Sequence, residues 1–125
     1  MRGIKFRAWD VNKKVMTSVA GIWLGDDGSA LTITFEPAPK SKFYHGLVNG
    51  ENGILMQFTG LKDPSGREIY EGDLMQDPMT NTVCCVKWCE KSCMFYMDHP
   101  DAKAAWPISV IWKIVGNIYE NPELK

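Results

Sequence analysis

Four cysteines and a histidine gather between positions 84 and 99: Cys84, Cys85, Cys89, Cys93 and His99. Thiolate and imidazole are ligands zinc favours, and zinc sites commonly bring cysteines in as closely spaced pairs. Cys89 and Cys93 have such a spacing across a hairpin turn. Cys84 and Cys85 do not, because neighbours on a strand point to opposite faces. Cys85, Cys89, Cys93 and His99 form the one geometrically conceivable set, against the commoner role of reduced cysteine as a small apolar side chain. No metal is assigned. A Cys93–His99 pair has the chemistry of nucleophile and base. The only two histidines, His45 and His99, lie outside any Ser/His/Asp, Cys/His or His-Glu-x-x-His context. No glycine-rich loop leads into a helix as phosphate binding requires. The expectation is a protein with no catalytic residues, no cofactor and no enzymatic activity.

Charge suggests a second chemistry. The 14 Lys and Arg against 15 Asp and Glu give a formal net of −1, which argues against a globally basic nucleic-acid coat. The balance is uneven along the chain, since Arg2, Lys5, Arg7, Lys13 and Lys14 face only Asp10 within residues 1–16. On a strand, Lys5, Arg7 and Trp9 share a face, and a basic stripe beside an aromatic is how β-rich modules hold single-stranded nucleic acid. An ordinary solvated strand face, or contact between this basic segment and an acidic surface, explains the same residues.

The elements that position these groups read as short strands and turns. A chain of 125 residues with 45% apolar and 23% charged residues fits one domain able to bury a core. No run approaches a membrane span, and the charged N-terminus lacks the apolar core of a signal peptide. A cytoplasmic protein with reduced thiols is expected. Ile4 to Trp9 alternates as a half-buried strand with Ile4, Phe6 and Ala8 inward. A turn over Asp10–Lys14 returns through Val15 and Met16. Ala20–Leu24 and Ala30–Phe35 flank Gly25-Asp26-Asp27-Gly28 as a second hairpin. Pro37-Ala38-Pro39 stops any ladder, and residues 40–53, with Phe43 and Tyr44, form a loop with one weak strand.

Ile54–Thr59 is a strand, Asp63-Pro64-Ser65-Gly66 a type I turn, and Ile69-Tyr70 a short strand. Glu71-Gly72-Asp73 reverses into Leu74 and Met75, which Asp77-Pro78 ends. Thr82–Cys89 and Met94–Met97 make a third hairpin across Glu90-Lys91-Ser92. In Ile108–Ile118 β-branching favours a strand, with a helix over Ser109–Val115 as the alternative. The fold expected is all-β or β-dominated, as compact antiparallel sheets or a small SH3-like barrel with an N-terminal hairpin extension. One domain spans 1–125, with a hairpin region over about 1–50 packing with a barrel-like region over about 51–125.

Three segments together resemble the YopX family of phage and prophage proteins. They are Ile4-Lys5-Phe6-Arg7-Ala8-Trp9-Asp10; Leu55 through Asp63 continuing over Gly66-Arg67-Glu68-Ile69-Tyr70-Glu71-Gly72-Asp73; and Val115-Gly116-Asn117-Ile118-Tyr119-Glu120-Asn121-Pro122-Glu123-Leu124. The resemblance implies a compact, mostly β protein encoded by a phage or prophage and placed in the host cytoplasm. It implies no reaction and does not extend to the four cysteines. Tyr70-Glu71-Gly72-Asp73-Leu74 also looks like the turn-to-strand entry of SH3-like barrels.

Turn chemistry accounts for most of these residues without a ligand. The functional alternative is a surface built from Lys62, Asp63, Arg67, Glu68, Glu71 and Asp73, with Tyr119. Paired opposite charges suit a specific interface better than an acid/base site. The expectation is therefore a non-enzymatic accessory protein that self-associates or binds a protein partner. Trp9, Tyr119 and Trp106 are its candidate anchors. A nucleic-acid module using Arg2, Lys5, Arg7 and Trp9 comes second, and no membrane contact is expected.

Overall fold

The computed structural model describes residues 3–28, 30–35, 46–100 and 105–124. Two units divide the chain, Lys5–Gln57 and Phe58–Lys125, the latter joined by the residues before Lys5. The architecture is β-dominated and antiparallel, as the turn-punctuated sequence suggests. The only helical element among the described residues is a 3-10 turn, Pro122–Leu124. No helix among the described residues is long and apolar enough to cross a membrane.

In the first unit, β1 (Phe6–Asp10), β2 (Val15–Leu24), β3 (Ala30–Phe35) and β4 (Gly46–Val48) join the start of β5 (Gly53–Lys62). The spatial order is β4-β3-β2-β1-β5. Asp10 makes the first reversal: its Oδ1 accepts the N–H groups of Asn12 and Lys13, and its carbonyl accepts that of Lys14. This is an Asx-type turn, with Lys14 at φ 57° just before β2. The two arms expected around Val15 and Ala20 are one ten-residue strand. Its first half pairs β1 and its second half pairs β3, with a register shift between Val19 and Gly21. Ala8 and Leu47 are buried together, with Val19 and Leu55 against them. A Cβ on Gly53 would sit 2.5 Å from that of Leu47, so this close approach needs glycine. The weak strand expected within residues 40–53 is β4; Pro37, Ala38, Pro39, Phe43 and Tyr44 lie outside the described residues.

In the second unit the end of β5 turns through 63–66 into β6 (Glu68–Tyr70). The Gly66 N–H bonds to the Asp63 carbonyl at 2.9 Å, the closure expected of the type I turn. A four-stranded sheet follows in the order β10-β7-β8-β9, built from β7 (Asp73–Gln76), β8 (Val83–Cys89), β9 (Met94–Asp98) and β10 (Lys113–Asn117). The third hairpin is in place, with Cys89 opposite Met94. This sheet is open, with no pairing of β9 to β10 among the described residues, so the closed-barrel form of the expectation gives way to open sheets. Ile69, Met75, Cys84, Val86, Met97, Trp112 and Ile114 form the core, with Ile108 packed on it.

Two local expectations change. Ile4 precedes β1 and is 67% exposed, so it belongs to neither the strand nor a core. The last apolar run is a strand only over Lys113–Asn117; ahead of it the Trp112 N–H closes a turn onto the Ser109 carbonyl. Ile108 and Trp112 face the core while Val110 and Ile111 stay exposed.

Candidate interaction surface

The basic N-terminal stripe is not laid out as a solvated face. Arg2 lies outside the described residues, and Lys5 is exposed ahead of β1. Arg7 stands opposite Ser18 and Met56, and Trp9 opposite Met16 and Ile54. Both are half-buried, and Met56 is fully buried. As a strand paired on both sides, β1 sets this face beside Met16, Ile54 and Met56, with Ser18 as its one polar neighbour among these partners. Lys13 and Lys14 are exposed in the turn.

The charged residues of the middle segment separate into two kinds. Lys62 and Arg67 are exposed, Glu68, Glu71 and Tyr119 are half-buried, and Lys62 stands across from Glu68 in the β5–β6 pair. Asp63 and Asp73 depart from the expected surface: both are buried, with their oxygens turned to backbone donors. Asp63 Oδ1 accepts from the Ser65 N–H, the Ser65 hydroxyl and the Arg67 N–H, while Oδ2 accepts the Ile114 N–H at 3.2 Å. Burial pushes the Asp63 carboxyl upward, but the Ser65 hydroxyl and the three amides outweigh it and hold it below its ordinary value. Asp73 Oδ2 accepts the Tyr70 N–H at 2.8 Å and so fixes the entry into β7.

The third recognisable segment works the same way. Asn117 Oδ1 accepts the N–H groups of Tyr119 and Glu120, and its own N–H reaches Asn121 Oδ1. A Cβ on Gly116 would overlap that Asn121 amide. Asp63 and Asn121 thus bond the Ile114 and Asn117 amides of β10, a strand at the sheet edge. Exposed edge amides invite pairing with another chain, and occupied ones do not. Gly116→Ala is expected to destabilise the protein by about 2 kcal/mol through this overlap, read as a lower urea midpoint. An unchanged midpoint would show that Asn121 moves aside without consequence.

The cysteines take three environments. Cys84 and Cys85 are buried on β8, and burial pushes the Cys84 thiol up to about 11. Cys89 is half-buried at the strand end, and Cys93 is exposed at φ 50° in the turn. No three His, Cys, Asp or Glu side chains among the described residues are grouped to hold a metal ion. His99 instead stacks on Trp106, ring centroids 4.6 Å apart, so the structure does not assemble the Cys85, Cys89, Cys93, His99 set.

Aromatic residues supply what the sequence reading missed. Trp88 and Phe95 stand opposite each other across β8 and β9 and meet edge-on at 4.9 Å. Trp106 bridges to Met97, its carbonyl accepting the Met97 N–H at 2.8 Å. Two aromatic pairs, Trp88–Phe95 and Trp106–His99, therefore flank the buried Met97 along the edge strand β9. Trp88 and Trp106 are 44% and 42% exposed. Of the expected anchors, only Trp106 is exposed; Trp9 and Tyr119 are half-buried. The hairpin itself was legible in the sequence, but a turn confined to Glu90-Lys91-Ser92 would set Trp88 against Met94; inclusion of Cys93 in the turn shifts the register by one and brings Trp88 opposite Phe95.

Comparison with known proteins agrees with this architecture. The family model described as YopX protein matches residues 5–124. Among solved structures, the crystal structure of protein EF1440 from Enterococcus faecalis is similar in fold. It has 24% sequence identity, 99% of each chain is covered, and the TM-score is 0.68. A search of the curated proteins finds no match.

Proposed function

We propose that this chain, which belongs to the YopX family, is a non-enzymatic accessory protein that works through self-association or a protein partner. The observation that carries the reading is the pair of aromatic clusters at the two ends of β9, each with a half-exposed tryptophan. Large flat side chains of this kind are enriched in interface cores. Exposed Val110 and Ile111, close to Trp106 in sequence, add apolar surface to the same unit. A phage or prophage origin and a place in the host cytoplasm belong to the same proposal and rest on the family's character. Binding of single-stranded nucleic acid stays second, because Arg7 and Trp9 are half-buried in a strand paired on both sides, with Met16, Ile54 and Met56 among the residues opposite them.

Light scattering over a concentration series should show association of the purified chain, and Trp88→Ala with Trp106→Ala should weaken it at least about tenfold. A strict monomer at high concentration, together with no protein captured from infected cells, would overturn the reading.

A further inference from the structure

The first unit carries charged and apolar surface that the β9 reading does not use. Strand β2 runs for ten residues, about 33 Å, and its two ends differ in sign. Lys13 and Lys14 are exposed in the turn that leads into it. Asp26 and Asp27 are exposed in the turn that leaves it, where the Gly28 N–H closes onto the Gly25 carbonyl at 2.9 Å. Both turns are fixed by their own hydrogen bonds, so each pair of charges is held in place. Among the described residues the side chains of Lys13, Lys14 and Asp26 enter no ion pair. Apolar surface follows the same strand. Trp23 and Leu24 are 71% and 62% exposed beside the acidic turn, and Val15 is exposed beside the basic one. Thr32 stands opposite both Trp23 and Val48, so exposed Val48 extends the Trp23 side of this surface onto β4. Between the two ends, exposed Ser18 and Ala20 are small enough to admit a close neighbour.

We infer that the exposed side of β2 is a docking surface for a second copy of this chain, lying antiparallel to the first about a two-fold axis near Ala20. Ala20 is midway between Lys14 and Asp26, and midway between Lys13 and Asp27. The rotation therefore sets the basic turn of each copy on the acidic turn of the other. It also lays Trp23 and Leu24 of each copy over the Val15 end of the other β2. A two-fold contact must be self-complementary, and a strand basic at one end and acidic at the other meets that condition. Nucleic acid would be drawn to the Lys13–Lys14 turn but repelled by Asp26 and Asp27. A protein surface of one sign would match only half of the strand. The contact closes as a dimer, because the rotation uses both ends of both copies.

Sedimentation of the full chain over a concentration series should show a dimer that weakens as salt rises, since exposed charges are screened over about 10 Å at 0.1 M. Reversing the basic end, as Lys13→Glu with Lys14→Glu, should weaken the dimer at least about tenfold, and so should Asp26→Lys with Asp27→Lys at the acidic end. Trp23→Ala should do the same. The reversed residues sit in exposed turns away from buried Ala8 and Leu47, and equal urea midpoints would confirm that each variant is folded. An equimolar mixture of the two reversed proteins should form a heterodimer, because one is then acidic at both ends of β2 and the other basic at both. Undiminished dimers of either reversed protein alone, or a mixture that stays monomeric, would overturn the assignment. So would a strict monomer of the unsubstituted chain. Association lost in Trp88→Ala with Trp106→Ala but kept in both reversed proteins would overturn it too, and would leave the β9 surface standing.

Discussion

Asp63→Ala should destabilise this protein by about 3 kcal/mol, although the residue lies in a surface-type turn with no ion pair invoked. Its Oδ1 holds the Ser65 and Arg67 amides at 2.9 and 3.0 Å and the Ser65 hydroxyl at 2.6 Å. Its Oδ2 holds the Ile114 amide, 51 residues further along. Hydrogen bonds to a charged acceptor contribute about 1.5–3 kcal/mol each, but the turn amides regain water when the carboxylate goes, so the four do not add. The Ile114 amide has less recourse, since Ile114 is buried, and leaving it unsatisfied costs about 1–3 kcal/mol. Asp63→Asn should recover part of the loss. Its single acceptor oxygen can serve the turn, but its NH2 then confronts the Ile114 amide.

The pH dependence has a definite sign. The folded-state value of Asp63 lies below the unfolded one, so its contribution is fully present above the unfolded carboxylate value. It is lost as pH falls through the folded value. Urea midpoints of the unsubstituted protein and Asp63→Asn should therefore converge on acidification. Parallel curves, or a loss in Asp63→Ala below about 1 kcal/mol, would show that the turn holds without the carboxylate.

Trp112→Ala is expected to cost about 4 kcal/mol, the largest loss from a single truncation in the second unit. The indole is 7% exposed and shares the core with Ile69, Met75, Cys84, Val86, Met97 and Ile114. Removing it opens a cavity larger than neighbours on the four paired strands β7, β8, β9 and β10 can close, because their backbones are fixed by the ladder. Against a typical total stability of about 5–15 kcal/mol, the variant should populate unfolded molecules at modest urea. Trp112→Phe should retain most of the stability. It should also remove the most blue-shifted part of the fluorescence, since Trp23, Trp88 and Trp106 are exposed. A midpoint for Trp112→Ala close to that of the unsubstituted protein would contradict the packing described.

The turns were readable in advance because they depend on a few residues acting locally. Asp10 bonds amides two and three residues ahead, and Gly66 closes on Asp63 within four positions. The destination of Asp63 Oδ2 was not readable, because its donor belongs to a strand far along the chain and nothing near Asp63 marks Ile114. Asp63 and Asp73 read as surface charges for the same reason. A carboxylate is normally solvated, and only the backbone donors that tertiary folding brings to it make burial tolerable. On β1 the alternation predicted a clean inside and outside. Neighbours on both edges instead place Met16, Ile54 and Met56 beside the basic face. The four cysteines crowd one short stretch of sequence and differ through burial, Cys84 and Cys85 being enclosed within β8 and Cys93 exposed in the turn.

The β class, the three hairpins, the turn residues and the family were legible before folding, because strand alternation, turn chemistry and a motif set spanning the chain are local or linear properties. Tertiary structure decided which charges face water, which cysteines are accessible and which aromatics lie exposed along β9. It also decided that β10 has its edge amides occupied by Asp63 and Asn121. Those outcomes depend on distant segments becoming neighbours, and the free energy of a charge, a thiol or an indole is set by what surrounds it rather than by what precedes it in the chain.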